Sequence, residues 1–213
     1  MLKILPSLAS ADQLCLKEEI QKVQFVKQLH FDVEDGNFIP NITFGMKTIR
    51  SACSILEKDV IKDAHLMVTN PEEYIPVLAD IGFDAVAFHW ESVKYPMRLI
   101  EQIHQLGMKA GIGLNPKTSA EEIDSYLQQT DYVLLLSAEP DLAGEYFQRR
   151  ILDKIVHIRE KNRTVEIIVD GGVNEQNIGE ISQTGADGVV LGRAIFQTDD
   201  VENLVESFRM KGA

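Results

Sequence analysis

The stretch His30–Asn41, HFDVEDGNFIPN, decides how the rest of the chain is read. It opens with alternating polar and apolar residues, so His30, Asp32 and Glu34 share one face of a strand while Leu29, Phe31 and Val33 share the other. Asp35-Gly36-Asn37 then breaks the strand. A histidine and two acids on the interior face of a strand, where it runs out into a loop, are costly to bury unless they bind a metal or carry out proton chemistry. The competing reading is a solvated strand edge whose polar residues face water.

Similar apolar runs recur on both sides of this stretch. Strands are expected near Leu2–Leu5, Gln28–Val33, Val60–Met67, Ala85–His89, Lys109–Leu114, Tyr132–Ser137, Glu166–Asp170 and Gly188–Leu191, eight in all. Helical spacing separates them, as in Leu16, Ile20 and Val23, in Ile123 and Leu127, and in the closing Val201, Leu204, Val205 and Phe208. Alternating strands and helices imply a parallel sheet, and eight such units predict an α/β protein built as a single (β/α)8 TIM barrel over residues 1–213. A doubly wound open sheet is the alternative, disfavoured because no Gly-x-Gly-x-x-Gly follows the first strand. Polar residues instead gather where strands end, at Ser7, Asp32, His65, Ser137, Asp170 and Arg193, and a barrel brings those ends to one face.

A chain of 213 residues with 45% hydrophobic and 25% charged residues has ordinary globular composition, long enough to bury a full core. Its net charge of -12 disfavours binding to nucleic acid or to an anionic membrane surface. No apolar run approaches the roughly 18 residues of a membrane span, and MLKILPS enters a strand pattern without the apolar core of a signal peptide, so a cytoplasmic protein is expected. Cys15 and Cys53 lack metal or redox spacing and read as reduced core residues of helices.

His30, Asp32, His65 and Asp170, all at or near strand ends, are the candidate ligands of one divalent metal per subunit. Two imidazoles and two carboxylates favour zinc, with iron, manganese or cobalt as alternatives, over the all-oxygen shells of magnesium and calcium. His89 reads as a structural histidine, and His104 and His157 as exposed helix residues. Gly171-Gly172 after the seventh strand and Gly192-Arg193 after the eighth suggest a phosphate site at the C-terminal face of the strands, where glycine lets backbone N–H groups approach an anion closely.

Along nearly its whole length the chain resembles the ribulose-phosphate 3-epimerases, through PSLAS at Pro6–Ser10, HFDVEDGNFIPN at His30–Asn41, DAHLMV at Asp63–Val68, AGIGLNP at Ala110–Pro116, VDGGV at Val169–Val173 and GRAIF at Gly192–Phe196. The resemblance implies that His30, Asp32, His65 and Asp170 bind the metal, that Asp32 and Asp170 are the acid/base pair, and that Ser7, His65 and Met67 contact substrate. It also implies a homo-oligomer acting on a small sugar phosphate. The chemistry that this arrangement suits, and that the resemblance implies, is inversion at a carbon next to a ketone through an enediolate, with one carboxylate on each face of the carbon.

Three departures concern substrate recognition. Glu34 stands where the family usually has methionine, and by strand parity it faces inward with Asp32. The family's PGFGGQ run, which contributes to phosphate binding, is here Pro140-Asp141-Leu142-Ala143-Gly144-Glu145, retaining Gly144 but adding two acids. Arg193 replaces the usual serine and offers a guanidinium, held by Asp141, for the phosphate. The expected substrate is a phosphorylated ketose: ribulose 5-phosphate, allulose 6-phosphate or a related ketose phosphate. A related aldolase or decarboxylase is disfavoured by the absence of an Asp-x-Lys-x-x-Asp run, and a sugar-phosphate-binding or regulatory barrel with weak or no catalysis is the alternative of a different class.

Overall fold

A computed structural model describes residues 2–139 and 146–212. The chain alternates β1 (Lys3–Pro6), α1 (Leu16–Val23), β2 (Gln28–Glu34), α2 (Met46–Cys53), β3 (Ile61–Met67), α3 (Pro71–Ile81), β4 (Ala85–His89), α4 (Pro96–Gln105) and β5 (Lys109–Leu114). A 3₁₀ helix at Ala120–Tyr126 leads to β6 (Tyr132–Leu136), followed by α5 (Arg150–Lys161), β7 (Glu166–Asp170), α6 (Ile178–Thr184), β8 (Gly188–Leu191), α7 (Arg193–Phe196) and α8 (Val201–Lys211). Among the described residues the eight strands form one parallel sheet in the order β1-β8-β7-β6-β5-β4-β3-β2. A parallel bridge between Ser7 and His30 brings β1 against β2, so the sheet curls into the expected (β/α)8 barrel.

Strand parity sorts the side chains. Leu29, Phe31 and Val33 of β2, Ala64 and Leu66 of β3, Val86 and Phe88 of β4 and Ile167 and Val169 of β7 belong to one apolar cluster shared with helix residues such as Ile20, Ile49, Ile75 and Ile155. Phe31 is fully buried there, edge-on to Phe83 at 5.2 Å. The residues between them point inward. A smaller cluster of Leu5, Ala85, Ala87, Tyr132, Leu134, Ile168 and Val190 fills the barrel, with Ser7, His30, Asp32, Asp63, His65 and His89 among the buried polar residues beside it. Tyr132 has room because β5 carries Gly111 opposite it; a Cβ at that position would collide with the phenol ring.

Two expectations change. The segment between β5 and β6 forms a 3₁₀ helix rather than an α-helix: its entry is capped by Ser119 Oγ accepting from Glu121 N, and Ile123 and Leu127 are still buried. Cys15 is exposed, because it precedes α1 instead of lying on its apolar face. Cys53 ends α2 half-buried, and burial pushes its thiol up to about 11.

The turn after β2 is pinned by Asp35, whose carboxylate accepts from the backbone of Asn37 at 2.8 Å, Phe38 at 2.9 Å and Thr69 at 2.8 Å, the last joining it to the end of β3. Burial would raise this carboxyl, but those N–H groups outweigh it and hold it at about 2. A depressed carboxyl stabilises the fold above its unfolded value and loses that contribution as pH falls through the folded one. Asp35→Ala should therefore cost about 1–2 kcal/mol in urea unfolding at pH 7, and the gap to wild type should close between pH 4 and pH 2.

Candidate functional site

The ends of β2, β3 and β7 bring His30, Asp32, His65 and Asp170 together, with ligand-capable atoms all within 4.8 Å of one another. His65 Nδ1 lies 3.0 Å from Asp32 Oδ1 and 3.3 Å from Asp170 Oδ2. His30 Nε2 lies 3.2 Å from Asp32 Oδ1 and 3.8 Å from Asp170 Oδ2. Both carboxylates thus face the same pair of imidazoles. Ser7, just past β1, donates its hydroxyl to Asp32 Oδ2, and Thr43 Oγ1 donates to the Asp32 carbonyl at 2.7 Å.

Burial alone would push His30 down; Asp32 and then Asp63 outweigh it and raise the imidazole well above its ordinary value. For His65 burial is likewise overcome, by Asp170 and Asp32, and the net shift is upward. Burial would raise Asp32, yet His30 and then His65 hold it far below the usual carboxylate range.

Each imidazole is also held from behind. His30 Nδ1 is 2.7 Å from Asp63 Oδ2, and Asp63 Oδ1 accepts from the Tyr132 hydroxyl at 2.7 Å. His65 Nε2 is 2.8 Å from His89 Nε2, the two rings are stacked, and His89 Nδ1 is 3.0 Å from Glu91 Oε2. Burial, reinforced by the His65 charge, lowers His89 and keeps it neutral. A neutral ring that gives its hydrogen to Glu91 must accept from His65 Nε2–H, so Nδ1 is the His65 nitrogen that faces the two carboxylates. Burial would raise Glu91, but His89, Thr118 and the Asn115 N–H hold it at about 2.

The donor set fits a divalent cation. It combines two nitrogen and two carboxylate ligands, and His30 Nε2 is buried with no hydrogen-bond partner among the described residues, although Asp32 is near. Above the cluster lies a cavity of about 230 Å³. Ser7, Asp32, Glu34, Met67 and Asp170 line it, together with Gly171, Gly172, Gly192 and Arg193. Met67 packs with Ile39 and Leu136 as its apolar wall. Gly171 and Gly172 adopt φ of 94° and 64°, a left-handed pair that other residues rarely adopt. Arg193 opens α7, a single turn of four residues. Gly144 and Asp141 lie outside the described residues.

Asp63, Tyr132, His89 and Glu91 were not singled out from sequence as parts of a site. Parity carried the signal for Asp63, which alternates with His65 and Met67 on the inward face of β3. His104 and His157 do lie in helices, His104 exposed but His157 half-buried, each 2.8 Å from an aspartate, Asp131 and Asp124. Among the described residues no helix is long and apolar enough to cross a membrane.

Fold and cluster together define a parallel β/α barrel with a histidine–carboxylate centre at the ends of its strands. The model of the ribulose-phosphate 3 epimerase family matches residues 3–196, and the chain belongs to that family of isomerase-class epimerases. It is 37% identical over 203 residues to the ribulose-phosphate 3-epimerase of Aquifex aeolicus, covering 92% of this chain and 90% of the relative. With the Helicobacter pylori ribulose-phosphate 3-epimerase it shares 36% identity, covering 98% and 97%. A crystal structure of 3-hexulose-6-phosphate synthase from Salmonella typhimurium matches with a TM-score of 0.74 over 99% of this chain and 98% of that one; at 16% identity this shows the fold alone.

If the cluster holds a divalent cation such as zinc, adding it to the metal-stripped protein at a hundred times its dissociation constant should stabilise the fold by about 2.7 kcal/mol. Thermal melts of His65→Ala, with and without zinc, should show that increment gone.

Proposed function

We propose that this protein inverts C3 of a phosphorylated ketose, ribulose 5-phosphate or a related sugar such as allulose 6-phosphate. The observation that carries this is the pairing of Asp32 and Asp170, two carboxylates from β2 and β7 that face one cavity and share the same imidazoles. A divalent metal held by His30, Asp32, His65 and Asp170 would polarise the ketone and make the neighbouring C–H more acidic. One aspartate takes the C3 proton from one face, and the other delivers a proton to the opposite face. Two acids are needed because a single carboxylate cannot reach both sides of the carbon, and they exchange roles when the reaction runs backwards.

The Ser7 hydroxyl holds Asp32 in place, while Met67 and Leu136 give an apolar wall that keeps water from the reacting carbon. Backbone N–H groups at Gly171, Gly172 and Gly192 and the guanidinium of Arg193 are the proposed phosphate contacts, since all four residues line the cavity. Glu34 lines it too, and is suited to accept from a sugar hydroxyl.

Proton NMR in deuterium oxide, with metal-replete protein and a panel of ketose phosphates, tests the reading directly. Solvent deuterium should enter at C3 as the epimer forms; a metal-loaded protein that exchanges C3 in none of these sugars would remove the epimerase assignment. Asp32→Asn and Asp170→Asn should each lower turnover at least 10²-fold, the low end of what a positioned acid or base contributes. Arg193→Ala should raise KM for a phosphorylated ketose about tenfold, the loss of one charge-assisted contact, with a much smaller effect on kcat.

A further inference from the structure

Asp63 stands apart from the cavity. It is buried inside the barrel, opposite His30 in the β2–β3 register, and is not among the cavity's lining residues. Its two oxygens have separate partners: Oδ1 takes the Tyr132 hydroxyl and Oδ2 faces His30 Nδ1, each at 2.7 Å. We propose that Asp63, with Tyr132 behind it, is a positioning residue that fixes His30 in the Nδ1–H tautomer and so aims the Nε2 lone pair at the metal. This rests on the metal-binding role proposed for His30.

The geometry allows few alternatives. With Oδ1 already accepting from the Tyr132 hydroxyl, Oδ2 lies 2.7 Å from a ring nitrogen, and a hydrogen on Nδ1 gives that oxygen a donor as well. The opposite tautomer would set a lone pair of Nδ1 against a lone pair of Oδ2 and put the hydrogen on Nε2, the atom that faces Asp32 and Asp170. Tyr132 closes the other side. Its hydroxyl occupies Oδ1, and its ring lies over Gly111, where a Cβ would collide with it, so the missing side chain on β5 is what lets the phenol reach Asp63. With Oδ1 taken by Tyr132, Oδ2 is the oxygen left for His30. Metal-ligating histidines usually need such a partner on the second nitrogen, because it sets both ring orientation and basicity. Here both His30 nitrogens are accounted for, one by Asp63 and one by its position at the cluster.

Asp63→Asn is the informative change. It keeps the shape, but an amide accepts through Oδ1 or donates through Nδ2, so His30 is no longer told which nitrogen carries the hydrogen. Zinc affinity by chelator competition and histidine ring ¹⁵N shifts should be read together. We expect Asp63→Asn to weaken zinc binding about 10–100-fold while the metal-free protein still melts cooperatively. Tyr132→Phe, which keeps the carboxylate, should weaken it only a few-fold. In zinc-loaded wild type the His30 hydrogen should sit on Nδ1. Unchanged zinc affinity in Asp63→Asn overturns the proposal. So does a zinc-loaded wild type with Nε2 protonated, a result that stands even if the variant fails to fold. Wild-type protein that binds no zinc would overturn the metal reading itself, and the role of Asp63 with it.

Discussion

Asp32 accepts the Ser7 hydroxyl and faces His65 Nδ1 at 3.0 Å and His30 Nε2 at 3.2 Å, so one carboxylate is the meeting point of β1, β2 and β3. It is almost wholly buried, and an uncompensated charge at that depth costs several kcal/mol. The surrounding polar residues answer that cost in turn: the imidazoles offset Asp32, Asp63 and His89 satisfy the imidazoles, and Tyr132 and Glu91 satisfy those. Such a network stabilises little when complete and destabilises strongly when one member is lost. What it contributes is a single arrangement of donors at one place.

That arrangement is possible because the hydrophobic core lies elsewhere. In a parallel barrel the outward residues of each strand pack under helices, and here Phe31, Leu66, Phe88, Val133 and Val169 build the main core. The inward face has less apolar volume to supply. Near the middle it is filled by Leu5, Leu134, Ile168 and Val190, and toward the strand ends it is given over to polar groups. β5 shows how the interior is kept roomy, since Gly111 and Gly113 pass beside the rings of Tyr132 and His89 without side chains of their own. The relays behind both imidazoles run through space that these glycines leave.

Periodicity made the architecture legible. Alternation in His30–Glu34 separated the outward Phe31 and Val33 from the inward His30 and Asp32, and the same period placed His65 and Asp170. The strands moved only at their ends, by a residue or so, where ladder hydrogen bonds fade into loops. The partners behind the ligands were harder to see. Asp63 and Tyr132 are 69 positions apart, and their bond depends on two strands that lie three places apart round the sheet. His89 looked structural because nothing in AFHWE shows that its ring stacks on His65. The 3₁₀ turn before β6 was missed for a local reason: Ile123 and Leu127 are spaced equally well for an α-helix, and the Ser119 cap gives no sign of which helix follows.

The charge of the cavity bears on how an anion could be held there. Asp32, Glu34, Glu139 and Asp170 line it in a chain whose net charge is -12, so a phosphate enters against the field. Lysines along the rim would add attraction but also pair with those acids. Backbone dipoles avoid this conflict, because an N–H group offers a positive end without a mobile charge for the acids to neutralise. Gly171 and Gly172, both left-handed, turn the chain at the cavity wall where such groups are needed, and Arg193 adds one guanidinium on the same side of the barrel, after β8. On the proposed reading, a divalent cation at the histidines offsets the acids at the reacting end while glycine backbone and Arg193 serve the phosphate end. Glu34 lines the same cavity, and its carboxylate repels a second anionic group but accepts from a hydroxyl. A ketose with one phosphate and hydroxyls along its length meets both demands, whereas a bisphosphate would bring its second charge toward the acids.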